Sequence, residues 1–204
     1  MAQKLKDTIL NPILKGNPIT VLVLGICSSL AVTVELKGAL VMALSVTIVT
    51  GLSSLVCSLL RKTIPNRARI IIQLVVVALM VILVDQFLKS FEATYPLDKQ
   101  LSVYIGLIIT NCIVMGRIEA FALGNKPGAS FLDGLANGLG YGMILLIVAF
   151  VRELLGSGTL FGIPVLSALG YVNNGLVILP PFALILLGCV IWVHRSIDKD
   201  LQEK

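Results

Sequence analysis

Four cysteines are the residues of this chain best suited to chemistry: Cys27, Cys57, Cys112 and Cys189. A thiolate binds metal or acts as a nucleophile, but self-contained zinc and iron–sulfur sites bring their ligands together at short spacings such as C-x2-C. No two of these cysteines stand that close. Nor does a Ser, His and Asp set or a pair of carboxylates converge in one motif, so hydrolytic catalysis has no support. A structural disulfide is not expected, since nothing places these apolar-embedded thiols in an oxidising compartment. A free Cys is most often a small hydrophobe, and that is the expectation for Cys57 and Cys189, each inside a long apolar run.

Cys27 and Cys112 have different surroundings. Gly25, Ser28 and Ser29 flank the first; Thr110, Asn111 and Gly116 flank the second. These are residues that loosen a helix, and backbone freed inside a membrane must line a cavity or be buried in protein. Two such thiolates facing one another could hold metal, yet they supply only two of the four ligands an iron–sulfur cluster takes. The rest would come from a second subunit. On the residues alone, a ligand role and a packing role both stand.

Among the charged residues, Asp85 is the clearest acid inside an apolar run. A carboxylate at mid-bilayer costs about 2.5–3.5 kcal/mol on insertion scales, which implies a partner or a function. Gln86 and Lys89 place it near an interface, and Lys89 at i+4 is within reach to pair with it. An interfacial structural role is favoured over cation binding; Asp85, with Thr110 and Asn111 as neutral oxygen donors, stays an ion-path candidate. Arg117 with Glu119, and Arg152 with Glu153, close apolar runs and read first as helix-end anchors, as does His194 beside Trp192 and Arg195. The glycines from Gly134 to Gly142 permit close helix approach. They form no phosphate loop, because no Lys-Ser or Lys-Thr follows.

The elements that carry these residues are membrane helices. Of 204 residues, 57% are apolar and 13% charged, against roughly 45–50% and about 25% in soluble domains. An ordinary soluble domain and a disordered chain are both excluded. The formal charge of +5 lies in short groups between apolar runs rather than on one basic face, so no nucleic-acid partner is expected. Six apolar runs are present: Ile19–Val34, Gly38–Leu60, Ile70–Leu88, Leu101–Gly116, Gly134–Val151 and Leu176–Val193. The first and fourth, at about 16 residues, are too short to cross alone. The expected fold is an all-α polytopic membrane protein with six transmembrane helices, helices one and four short or broken. Residues 1–18 form an N-terminal segment without a cleavable signal, 19–193 the membrane domain and 194–204 a tail. Six spans put both termini on one side with twelve Lys and Arg, leaving Lys37, Lys89, Lys99 and Arg152 on the other. Both termini are therefore expected to be cytoplasmic.

A faint internal repeat is readable, with halves at about 19–90 and 101–193. Each half opens with a short run holding Cys27 or Cys112 and continues with a run ending at Arg61 or Arg152. Gly51 to Arg61 and Gly142 to Arg152 both span ten positions. Three spans per half make such a repeat inverted, and paired short segments then point to the functional centre. Chance likeness between apolar segments is the other reading.

Longer stretches carry a resemblance. Leu24-Gly25-Ile26-Cys27-Ser28-Ser29-Leu30-Ala31-Val32-Thr33, the segment from Gln100 to Arg117 with Thr110-Asn111-Cys112, Val84-Asp85-Gln86, Gly138-Leu139-Gly140-Tyr141-Gly142 and the segment from Arg152 to Gly162 resemble the D-subunit family of sodium-translocating NADH:quinone oxidoreductases, a family shared with the E subunit of Rnf complexes. The resemblance covers nearly the whole chain. It implies two inverted three-helix repeats and pairing with a homologous E subunit inside a complex with five other subunits, in a bacterial inner membrane and its lipid. It further implies that Cys27 and Cys112 supply two ligands of an intramembrane [2Fe–2S] cluster completed by the E subunit, while Cys57 and Cys189 match no ligand position. NAD and flavins would bind other subunits only, the cluster relaying electrons from NADH toward quinone as sodium is exported; alone, the chain would not be catalytic. Rnf-type members have Pro-Leu after the first ligand cysteine where Ser28-Ser29 stands here, and the compact ending at Gln202-Glu203-Lys204 also favours the sodium pump. An Rnf-type ferredoxin:NAD oxidoreductase subunit is the alternative within the family. A metal-free ion-conducting or scaffold subunit is the alternative outside it.

Overall fold

Long apolar runs dictate helix here, because in lipid every backbone donor and acceptor must be paired within the protein. A computed structural model describes residues 16–62, 64–65, 67–92, 106–160, 163–164 and 175–197. Its helices in chain order are α1 (Ile26–Val32), α2 (Leu36–Leu60), α3 (Arg69–Glu92), α4 (Cys112–Arg117), α5 (Pro127–Gly156), α6 (Gly175–Ile178) and α7 (Pro180–Ile197). A π-helical turn, Ile118–Ala122, extends α4. Thr159–Leu160 and Ile163–Pro164 pair as a two-residue antiparallel ladder. Among the described residues, four helices are long and apolar enough to cross a membrane: α2, α3 over Arg69–Phe87, α5 and α7.

The central pair is α2 and α5, which run antiparallel in close contact. Gly134, Gly138 and Gly142 recur every fourth residue and so line one face of α5. A Cβ added at Gly134 would lie 2.8 Å from the Thr50 carbonyl, at Gly138 2.5 Å from Thr47 Cα, and at Gly142 3.0 Å from Ala43 Cβ. Small residues at a helix interface let backbones approach in this way, which is what holds membrane helices together where lipid removes the hydrophobic drive. Two of the threonine hydroxyls buried on α2 are satisfied within their own helix: Thr47 donates to the Ala43 carbonyl (2.7 Å) and Thr50 to that of Val46 (2.6 Å). α3 and α7 lie outside this pair, and Ile70, Ile71, Val75, Leu79, Ile185 and Trp192 stand exposed on them. Such outward apolar faces suit lipid or neighbouring subunits.

Several sequence expectations are corrected in detail. The fifth run starts at Pro127 rather than Gly134, because Pro at the first helical position fixes the entry dihedral and Asp133 is neutralised inside the helix. The sixth run is two helices, α6 and α7, separated at Leu179 by the Pro180-Pro181 pair, which cannot continue the preceding backbone ladder. The first run is turns and irregular backbone up to Gly25 and helical only from Ile26 to Val32. In the fourth, residues 106–109 are helical, Thr110 and Asn111 break the helix, and α4 begins at Cys112; its start at Leu101 lies outside the described residues. Cys57 is fully buried as a small hydrophobe, whereas Cys189 is exposed on α7.

Candidate functional site

Both of the cysteines set apart by their context sit in the first turn of a short helix directly after a break. Before α1 the chain turns through Val23 (φ 55°) and Gly25 (φ 78°), both in the left-handed region. Glycine adopts this region freely; Val23, being β-branched, is strained there. Gly25 also has no room for a side chain, since a Cβ would lie 2.5 Å from Ile113 Cδ1 of α4. Before α4 the break is made by Asn111, whose side-chain oxygen accepts from the Ile113 amide at 3.1 Å and caps the helix.

The two breaks are joined to each other. Asn111 Nδ2 donates to Ser28 Oγ at 3.2 Å, so the residue after Cys27 is bonded to the residue before Cys112. Ser28 Oγ donates to the Gly25 carbonyl at 3.0 Å and lies 2.8 Å from the Tyr141 hydroxyl of α5. One hydroxyl has one proton and two lone pairs. With its proton on Gly25 and one lone pair taken by Asn111, Ser28 accepts from Tyr141. Ser28, Asn111 and Tyr141 are all buried, while Cys27 and Cys112 are exposed. The arrangement therefore presents two thiols outward on a polar knot that is closed inward.

The far end of α1 is fixed by Arg152, a fully buried side chain of α5. It donates to the Leu30 carbonyl (3.2 Å), Thr33 Oγ1 (2.5 Å) and the Val177 and Ile178 carbonyls (3.4 and 2.5 Å). The three carbonyls are acceptors at the ends of α1 and α6, and one guanidinium serves both sets. Next to it, Glu153 Oε2 accepts from the Leu36 amide at the start of α2 (2.6 Å), satisfying an orphan donor. The far end of α4 is fixed in a similar way. Arg117 makes a two-pronged ion pair with Asp133 of α5 (3.0 and 2.5 Å), and Asn137 Nδ2 donates to the same carboxylate at 3.1 Å. Glu119 accepts from Arg69 and from Gln73 (2.8 Å) on α3. Arg117, Glu119, Arg152 and Glu153 thus tie elements of this chain together.

The ion-path candidates are dispersed. Asp85 pairs with Lys89 at 2.7 Å near the end of α3, the i, i+4 partner its sequence position suggested. Thr110 is exposed at the break before α4, its hydroxyl 3.4 Å from the Leu107 carbonyl, and Asn111 is occupied by the cap and by Ser28. Among the described residues no group of three or more His, Cys, Asp or Glu is gathered. Cys27 and Cys112 fit half of a four-thiolate site and no more. Contributors that escaped sequence reasoning include Tyr141, whose signal was a phenol inside a glycine-rich apolar run, and Asp133, an acid bordering that run.

Comparison with known proteins now bears on this geometry. A family model described as "Rnf-Nqr subunit, membrane protein" matches residues 5–191. The chain belongs to the Rnf-Nqr family. Within the Rnf-Nqr family, it is 56% identical over 203 residues to the D subunit of the Na(+)-translocating NADH-quinone reductase of Haemophilus influenzae strain Rd, covering 98% of this chain and 97% of that protein. It is 53% identical to the corresponding D subunit of Tolumonas auensis (97% and 93% covered) and 52% to that of Pseudomonas aeruginosa strain PAO1 (98% and 90%). These Rnf-Nqr relatives are named as subunits of a translocating oxidoreductase, and the apolar helices of the present chain agree with a membrane-embedded member.

Proposed function

We propose that this chain is the D subunit of a sodium-translocating NADH:quinone oxidoreductase, in which Cys27 and Cys112 provide two thiolates to a [2Fe–2S] cluster completed by two from the homologous E subunit. The observation that carries the reading is the direct bond between Ser28 and Asn111, which holds two exposed thiols on neighbouring turns. Exposure is what a shared site requires, because a partner must reach both sulfurs. When bound, the cluster supplies a one-electron carrier within the membrane, between the NADH and quinone ends of the complex. The chain's own residues hold the thiols: Gly25 lets α1 and α4 approach, Asn111 starts α4, and Arg152 and Arg117 pin the opposite ends of the two short helices. A subunit of this kind binds no NADH or flavin and is not catalytic alone.

The same proposal includes six membrane segments in two inverted repeats, with both termini cytoplasmic in a bacterial inner membrane. Support comes from paired contacts. Gly51 and Gly142 stand 91 positions apart (142 − 51), as do Arg61 and Arg152. That offset exchanges the Gly51 approach to α5 beside Gly134 with the Gly142 approach to Ala43, and it maps Thr47 onto its own contact, Gly138. Arg61 donates to the Asn125 carbonyl just before α5 (2.7 Å), as Arg152 donates to Leu30 and Thr33 just before α2.

The test is the iron and acid-labile sulfide content of the purified complex, with its reduced-state EPR spectrum, for Cys27→Ser and Cys112→Ser. Each change is expected to remove the iron of one cluster and its signal while the subunits stay assembled. Unchanged iron and spectrum would leave a metal-free conducting or scaffold subunit as the reading. For orientation, reporter fusions at the C-terminus should be active only in the cytoplasm.

A further inference from the structure

The hydroxyl that closes the polar knot belongs to neither cysteine-bearing helix. Tyr141 is fully buried on α5, and its ring lies under the Gly25 turn, where a Cβ on Gly25 would sit 3.3 Å from Tyr141 Cε2. Its hydroxyl fills the last acceptor position of Ser28. Ser28 in turn holds Asn111, and Asn111 caps the helix that starts at Cys112. One phenolic oxygen on a rigid central helix therefore restrains both cysteine turns at once.

The restraint is one-sided. The residue 91 positions before Tyr141 (141 − 50) is Thr50, whose hydroxyl is spent on the Val46 carbonyl of its own helix. The pseudo-symmetry that relates Gly51 to Gly142 and Arg61 to Arg152 is broken at this position. The hydroxyl, amide and phenol that join the Cys27 and Cys112 turns are gathered on the buried side of the two turns.

We infer that Tyr141 is a positioning residue that, through its hydroxyl, fixes the Cys27 turn against the Cys112 turn and so sets the geometry of the two thiols. The consequence for a metal centre rests on the reading of these cysteines as ligands; the positioning of the turns does not. Ring packing alone would be a purely structural role, and Tyr141→Phe separates the two because it keeps the ring and removes only the bond.

The experiment uses the purified complex in a Cys57→Ser, Cys189→Ser background. In the first arm, iron is removed by chelation, thiols are kept reduced, and Cys27 is joined to Cys112 by a short bismaleimide, with the linked peptides quantified by mass spectrometry. Loss of one net hydrogen bond corresponds to a change of roughly 3–10-fold in an equilibrium, and Tyr141→Phe is expected to reduce the cross-linked fraction by about that factor. Ser28→Ala should do the same, and the double variant should be no worse than the more severe single one, because both act through one bond. An unchanged cross-linked fraction in Tyr141→Phe, or fully additive effects, overturns the inference. In the second arm, the intact complex is titrated by EPR, where Tyr141→Phe is expected to shift the spectrum and midpoint of the cluster at unchanged iron content. A signal present and unshifted overturns the influence on the metal centre. A signal absent from the parent complex overturns the ligand reading instead and leaves the first arm to decide the positioning.

Discussion

Arg152 donates to Thr33 Oγ1 across 2.5 Å, joining the last turns of the longest helix to the residue that ends the Cys27 helix. The same guanidinium serves three further carbonyl oxygens, so its loss strands acceptors on two helices. Each buried group left unmet costs about 1–3 kcal/mol. Arg152→Met is expected to lower the melting temperature of the purified complex sharply or to release this subunit from it. Arg61→Met should be mild, because the Asn125 carbonyl keeps the Ser58 hydroxyl as a donor. Equal losses from the two variants in a thermal melt would contradict this account.

The contact between Gly138 and Thr47 admits no side chain. Gly138→Leu would drive α2 and α5 apart at the centre of the fold, and overpacking of this kind costs about 1–3 kcal/mol or more. Gly128, in the first turn of α5, has nothing within 4 Å of a Cβ. Gly128→Ala is expected to be neutral or to stabilise by up to about 1 kcal/mol through helix propensity. Thermal unfolding in detergent, followed by the amount of assembled complex, reports both.

Arg117 and Asp133 form a largely buried, two-pronged pair, with side chains 18% and 5% exposed. Removing one partner of such a pair costs about 3–5 kcal/mol, whereas replacing both by apolar residues is often close to neutral. Asp133→Leu alone should therefore be worse than Asp133→Leu with Arg117→Met. A double variant at least as unstable as Asp133→Leu would show that the pair does more than cancel its own desolvation.

Cys57 and Cys189 should be silent in the metal assay. Cys57→Ala leaves a small void in a closed core and is expected to cost on the order of 1 kcal/mol; Cys189→Ala, on an exposed face, should fall within about 0.5 kcal/mol of the parent. Iron per complex is the measurement, and a drop in either variant would redistribute the ligand roles.

How much of this was legible in the sequence depends on the range of the interaction. The breaks before Cys27 and Cys112 were readable because Gly25, Thr110 and Asn111 act on their own backbone. The Asp85–Lys89 pair was readable because it is one helical turn long. The glycine stripe promised close approach, though only the fold names Thr47 and Ala43 as its partners. Arg152, Glu153, Arg117 and Glu119 were read as interface anchors, since a charge at the end of an apolar run normally snorkels to water. Their partners lie on other elements, with 119 positions between Thr33 and Arg152, and no local pattern carries that information. For the same reason Tyr141 passed unnoticed in a run where glycine was the visible signal.

The fit of Gly138 against Thr47 has a mechanical consequence. Two backbones that touch at 2.5 Å from a hypothetical Cβ cannot slide past one another, so α2 and α5 act as a keel. Interruptions of the regular helix lie off this pair, as at the turn of Val23 to Gly25, the π-helical turn after α4 and the joint at Leu179. A stiff spine thus carries the short helices, and the turn that leads into Cys27 is one of the places where regular helix gives way around it.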